Sequence, residues 1–572
     1  MKFWFLAIFS VWGINAVVTG LPKGLLNSIL ALPLIWGLRC LYRSVYRKKP
    51  ERRTVLLALP FALIFSFALV YGAALCRDSN SLVWIGTIIG TLSLLPFVLC
   101  ILICLSELDI SVWDGRIKIK LDNPRTGLII FVIIYGFWII GLLSMMPGYW
   151  GYDGVYQFDS FIKGSVSSHH PVLHTYFMSS LLVFGKEHLG SYESGLLIYS
   201  LLQMAILDFA IVRMILFVLK YSKAASLGIL ACCCLLPFHG ILSFSSTKDT
   251  LFSAFFILWV LELINGAVSR EKWNWKYAGR VTVLSLLMCA FRNNGIYVYI
   301  AILPFWAAIC RKQWKWVTIA AVITLGGWIG YTGPVYDSLH ITKGAVHEML
   351  SVPCQQLSSA YLNSRNLTAE ERQKIKEYIP AAENYNARTA DNVKNTFNDS
   401  LFLNDKSQFM RLWFRTGRKN FRIYLNALAN VSIGFWYSDM IYPDPPAWHP
   451  YIEYILESND DRFNEDKWIQ IEQWSYFPWV TQINHRFCRY ADFQKLPVIS
   501  MLCSGGFYFW LLMAETFLIL VRKKYPYLLG IIPAVMYWGT CILGPVVLLR
   551  YAYAYILAAM LMAAPAFKKE TE

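Results

Sequence analysis

The stretch 146–178, MPGYWGYDGVYQFDSFIKGSVSSHHPVLHTYFM, gathers Asp153, Gln157, Asp159, His169, His170 and His174 between long apolar runs. Asp153 and Gln157 lie four residues apart, so a helix would put them on one face; Asp159 would point elsewhere and stands as a second acidic candidate. A carboxylate beside Trp150, Tyr152 and Tyr156 at a membrane boundary can be partly desolvated and serve as a base at neutral pH. The same Asp153 could instead cap a helix beginning at Gly154. His170 and His174 stand one helical turn apart, a spacing able to hold a divalent metal with Asp153 as a third ligand. No second carboxylate motif supports that use, so His169, His170 and His174 are expected to hydrogen-bond a phosphate or a sugar, with no cofactor and no resident metal.

A second group of candidates is cationic. Lys248 and Asp249 lie in the polar stretch 243–250, Arg292 opens the turn 292–295, and Arg550 falls near the start of the last apolar run. Ionisable groups at such depth are costly unless paired or used, although long side chains can also snorkel to headgroups. Several cations meeting at one face would suit a phosphate or pyrophosphate. Gln355 and Gln356, just after Pro353, offer neutral hydrogen bonds of the kind sugars use.

The elements that must position these groups are membrane helices. The 572 residues are 56% hydrophobic and 16% aromatic, with a mean hydropathy of +0.45. Continuous apolar runs recur, each long enough to cross a hydrocarbon core of about 30 Å as a helix. A barrel is excluded, because the runs do not alternate at period two. The net charge of +16 sits in short loops at 39–53, 220–223, 270–280, 311–315 and 522–524, with Lys568 and Lys569 near the end. That placement is a positive-inside pattern and sets orientation rather than a nucleic-acid partner. Both termini are then cytoplasmic and the protein is a multi-pass component of the cytoplasmic membrane. The cysteines lie mostly in apolar runs and form no CxxC pair; Cys354 and Cys488 could be bridged if the polar region holding them is extracytoplasmic.

About fourteen spans are expected from these runs. Four fall in an N-terminal section 1–126 that ends in a cytoplasmic linker. Seven belong to a core section 127–332, which carries a first outer loop at 147–193 in which the run 172–184 lies as an interfacial helix. A largely polar, mostly helical extracytoplasmic region covers 333–496. In it Thr368 and Glu371 predict a capped helix, 421–437 an interfacial or buried one, and 442–450 a rigid loop. Three closing spans and a short tail occupy 497–572. The architecture is an all-α polytopic membrane protein.

An acidic residue shortly after an outgoing span, followed by a His-Pro opening an interfacial helix, resembles the GT-C superfamily of membrane glycosyltransferases. More narrowly, Asp153-x-x-x-Gln157, His170-Pro171, Lys248-Asp249, the 292–295 turn and Pro353-x-Gln355-Gln356 resemble a bacterial membrane family of undefined function with GT-C character. The resemblance extends over roughly 127–544. It implies a GT-C-like helical bundle, Asp153 as the catalytic acid position, His170 as the loop histidine, and Lys248, Arg292 and Arg550 as contacts to the carrier phosphate. Two departures stand out: Gly154 follows the acid where a Ser would be expected, and the loop lacks a DxD pair, which puts a metal-dependent mechanism in doubt.

The resulting expectation is transfer of a sugar from a polyprenyl-phosphate-linked donor in the lipid bilayer to a cell-envelope glycan, lipid or protein acceptor. The rival expectations are a transporter or flippase of lipid-linked saccharides, which would need polar residues at mid-membrane, and a non-enzymatic assembly protein.

Overall fold

The computed structural model describes residues 1–18, 29–117, 123–268, 273–440, 471–489, 492–496 and 498–569, and among these residues it is helical, with no strand. Apolar sequence becomes helix here because a backbone in hydrocarbon must satisfy every N–H and C=O internally. Eight helices among the described residues are long and apolar enough to cross a membrane, or nine if one bent pair is counted as a single span. The other apolar runs also form helices, but shorter ones. Ala31–Arg47 and Trp275–Phe291 have 17 residues and Gly295–Ile309 has 15, little for a hydrocarbon core at a rise of about 1.5 Å per residue.

The apolar run 224–242 is broken into Lys223–Leu235 and Pro237–Ser243, which meet at 66°. Pro237 has no N–H to continue the helical ladder and sits at the first position of the second piece, where none is needed. The bend leads the chain into 244–247 and so into the N-terminus of the Lys248–Val268 helix.

Leu549–Phe567 is the central helix: 89% of its apolar window is buried, against 17% for the peripheral Arg311–Ser338 segment. Ala552, Ala554, Ala558, Ala559, Ala564 and Ala566 line it on several sides, and small side chains let neighbouring backbones close in. Its far end is fastened by Arg522, which donates to the Ala566 carbonyl at 2.6 Å, and by Lys524, which donates to the Pro565 and Lys568 carbonyls at 3.2 and 2.7 Å. Arg53, in the first turn of the Arg52–Arg77 helix, donates to Leu520 O at this same end, where the pair Lys569–Glu107 also lies. Asp153 and Arg550 lie at the other.

Residues 346–431 form a helical unit with its own core, in which Cys354, Leu357, Ile375, Tyr378, Phe397 and Phe409 pack together. Thr368 and Glu371 make the expected capping box. Cys354 is a free thiol inside that core rather than half of a disulfide. The helix Phe421–Val431 is buried along one face, where Asn426 and Asn430 donate to Ser79 O at 2.8 and 2.7 Å just past the end of the Arg52–Arg77 helix, while Phe421 stays exposed. The loop 442–450 and part of the basic loop 270–280 lie outside the described residues.

The helix expected over 172–184 runs on to Leu189 and packs against Tyr192–Leu219 through facing glycines. A Cβ on Gly195 would meet the Leu181 carbonyl and the Leu182 Cα at 2.5 Å, both backbone and neither able to yield. Gly195→Leu is expected to lower stability by about 3 kcal/mol or more through overpacking, while Gly228→Leu, which faces open space, should change it by less than about 0.5 kcal/mol. Thermal melting of the two variants in detergent checks this, and similar melting temperatures would contradict the close crossing.

Candidate functional site

Four helix ends bring the chemistry together. The chain leaves Thr126–Leu143 and enters the short helix Tyr152–Ile162, with Asp153 in its first turn. Lys248 and Asp249 open Lys248–Val268, Arg292 follows the last residue of Trp275–Phe291, and Arg550 lies in the first turn of Leu549–Phe567. The Asp153 helix is pinned to the 244–247 loop, where Ser246 Oγ accepts from the Gly151 N–H at 2.8 Å. This contact also explains Gly154 in place of a Ser: a Cβ there would lie 2.6 Å from Ser246 Oγ, so the position has no room for a side chain.

Asp249 is the fixed point. It is 1% exposed; its Oδ1 pairs with Arg292, and its Oδ2 accepts from Arg550 Nη1 at 3.2 Å and from Thr247 Oγ1 at 3.1 Å. The two guanidinium groups also share the Tyr551 ring, at 4.8 Å for Arg550 and 4.9 Å for Arg292, and Arg292 lies over Tyr537 and Phe252 as well. Charges this deep persist only when paired and hydrogen-bonded, and aromatic faces add to the hold on the cations.

Asp153 closes the cluster from the other side. Its Oδ2 lies 2.6 Å from Arg550 Nη1 and 3.5 Å from Lys248 Nζ. Burial alone would raise its proton affinity, but the charges of Arg550 and Lys248 hold the carboxyl well below the usual carboxylate range. Burial, then the Lys248 charge, push the His170 imidazole well below its ordinary value. The neutral ring therefore accepts from Lys248 Nζ through Nδ1 at 3.1 Å. His170 is aimed by its turn: Asn293 Nδ2 donates to Ser168 O at 2.9 Å, and Ser168 N–H donates to Thr342 O at 2.8 Å.

The remaining candidates lie elsewhere. The expected common face of His170 and His174 does not form, because the helix begins only at Val172 and leaves His170 in the preceding turn. His174 is fully buried in a polar chain behind the cluster, with Nδ1 2.9 Å from the Gln157 amide and Nε2 2.8 Å from Tyr199 Oη. Tyr199 donates to Gln203 Oε1 at 2.6 Å, and Gln203 Nε2 donates to Ser243 O and Ser245 O at 2.9 and 2.7 Å. With the Tyr199 proton so committed, a neutral His174 carries its own proton on Nε2, and its Nδ1 is satisfied when Gln157 turns its NH₂ inward. Gln157 and His174 thus brace the short helix and the 243–245 turn. His169 is exposed at the edge, and Asp159 pairs with Lys163 at 2.7 Å.

Gln355 and Gln356 are buried in the 346–431 unit. Gln355 donates to Asn386 O; Gln356 donates to Tyr424 O at 3.2 Å and accepts from Trp413 Nε1 at 2.9 Å. Among the described residues no group of three or more His, Cys, Asp or Glu is placed to hold a metal ion. Tyr551, Thr247, Tyr199 and Gln203 were not singled out from the sequence. The last two carried a signal, a polar pair four residues apart inside an otherwise apolar run.

Burial, and then the charge of Lys248, push the His174 imidazole down to about 3. The unfolded chain, with an ordinary histidine near 6.5, takes up a proton that the folded chain refuses, so stability falls as pH drops from about 6.5 towards 3. The melting temperature of the wild type is expected to fall over pH 7 to 4 by more than that of His174→Gln, which keeps hydrogen-bonding capacity without a titrating ring. Parallel curves for the two proteins would refute a buried neutral His174.

No curated protein and no solved structure matches the chain. One family model does, over residues 163–572, so that it takes in His170, Lys248, Asp249, Arg292 and Arg550 and begins after Asp153. This match covers well over half of the sequence, and the chain belongs to that family, the family of unknown function DUF6020.

Proposed function

We propose that the protein is a membrane glycosyltransferase of the GT-C kind. It would move a sugar from a polyprenyl-phosphate-linked donor to a cell-envelope glycan, lipid or protein acceptor on the extracytoplasmic face of the cytoplasmic membrane. The reading includes a GT-C-like bundle in which the shorter apolar helices complete about fourteen spans. What supports it above all is the convergence of one partly exposed carboxylate, Asp153, with Lys248, Arg292 and Arg550 at a single end of the bundle.

In this reaction the acceptor hydroxyl gives its proton to Asp153, and its oxygen forms a bond to the anomeric carbon. The bond from that carbon to the phosphate oxygen breaks, and the electron pair leaves with the polyprenyl phosphate. Arg550 and Lys248 receive the charge that develops there, the kind of preorganised electrostatic help that contributes most in a site shielded from water. Neutral His170 keeps Lys248 aimed. A lipid phosphate is already a stable leaving group, so positioning matters more than general-acid help.

A second reading, transport of a lipid-linked saccharide, draws on Asp208 and Glu515, two carboxyls that are fully buried within apolar helices. The two readings separate on different residues. For the transferase, purified wild type should release polyprenyl phosphate from at least one polyprenyl-phosphate sugar in a panel, and Asp153→Asn should slow that release by about 10²-fold or more while still binding donor. Chelator should leave the rate unchanged. Release that survives in Asp153→Asn, or none from any donor together with loss of cellular function in Asp208→Asn, would favour transport.

A further inference from the structure

The two carboxylates of the cluster are not equivalent. Asp249 is 1% exposed and takes ligands on both oxygens from Arg292, Arg550 and Thr247. Asp153 is 13% exposed and stands on an 11-residue helix, with its Oδ2 against Arg550 and Lys248. Three cations, Lys248, Arg292 and Arg550, face two carboxylates, and the neighbouring His170 is neutral, so these groups together carry one net positive charge. Lys394 with its two carboxylates, Glu348 and Asp391, stands next in line and offsets that charge, so what suits an anion here is the close pairing of Arg550 with Lys248 rather than a surplus of positive charge.

A carboxylate gripped by two cations is also a poor base, because its charged form is the one they stabilise. Asp153 can take a proton from an acceptor hydroxyl only once Arg550 and Lys248 are drawn to something else of the same sign. A phosphate ester has the oxygens to do this: it can accept two N–H groups of a guanidinium at once and an ammonium beside them.

We infer that Asp153 occupies the seat of an anionic ligand at rest, and that a phosphate ester takes Arg550 and Lys248 away from it, freeing the carboxylate as a base. Binding of the anion and activation of the base are then one event. Acceptor chemistry has to wait for donor. Asp249 stays with the arginines throughout, so the exchange moves one carboxylate and leaves the arginine pair standing. The inference deepens the transferase reading and rests on it for the task of the freed base; the competition for the seat does not depend on it.

The test is an anion-binding titration on the purified full chain in detergent, with farnesyl phosphate and inorganic phosphate as separate probes. Removing the resident carboxylate should tighten binding: Asp153→Asn and Asp153→Ala are each expected to bind farnesyl phosphate about tenfold or more tightly than wild type, and Asp153→Glu, which keeps a competing charge, about as wild type. Arg550→Gln should lose binding. Two neutral variants and one charged one keep the outcome decisive if a single substitution fails to fold. Tightening with inorganic phosphate as well would make the ligand a phosphate group from any source, and tightening with farnesyl phosphate alone a lipid-linked one. Equal or weaker binding by the two neutral variants overturns the seat. No binding by any variant overturns both the seat and the donor site, whereas tightening without sugar release from any donor leaves the seat and removes the transferase.

Discussion

The bridge that Asp249 makes between Arg292 and Arg550 is the interaction on which the site depends. Neither arginine could stay at that depth alone, since removing one partner of a buried ion pair leaves an uncompensated charge and costs about 3–5 kcal/mol. Held by Asp249 and by the ring of Tyr551, the guanidinium groups become fixed features of the bundle. They join three helices that are distant in sequence, Lys248–Val268, Trp275–Phe291 and Leu549–Phe567. Packing of apolar faces in lipid gives little preference for one neighbour over another. A charged bridge gives a definite one, so these groups also specify how the helices meet.

The site is built in two layers. In front, Asp153, Lys248 and His170 face the partly open side and are the ones a ligand can reach. Behind them, Gln157, His174, Tyr199 and Gln203 pass hydrogen bonds from the short Asp153 helix to the 243–245 backbone. The rear layer has no net charge, and its donors and acceptors pair in one direction only, which makes it a rigid brace. The front layer owes its electrostatic character to geometry that the rear layer holds.

Much of the charged cluster was legible in the sequence. Asp153, His170, Lys248, Asp249, Arg292 and Arg550 all stand in or beside apolar runs where a charge or an imidazole is expensive. Their pairing was not legible, because Asp153 and Arg550 are 397 residues apart and nothing local says that they touch. Gln157, His174, Gln355 and Gln356 look alike in sequence to residues that would face a sugar, and burial among helices commits them to internal bonds instead. The break at Pro237 had a visible cause, but its angle is set by where the neighbouring helices leave room. The helical class followed from composition, whereas the length of each helix depended on where the chain turned.

The fastening of Leu549–Phe567 has a mechanical consequence. Arg522 and Lys524 hold the carbonyls at its far end, while the near end is held through Arg550. Gripped at both ends and enclosed along its length, this helix cannot work as a piston. The height of Arg550 relative to the bundle is a constant of the molecule, like a fixed electrode. Any stroke the protein makes must be delivered by its short, front-facing pieces.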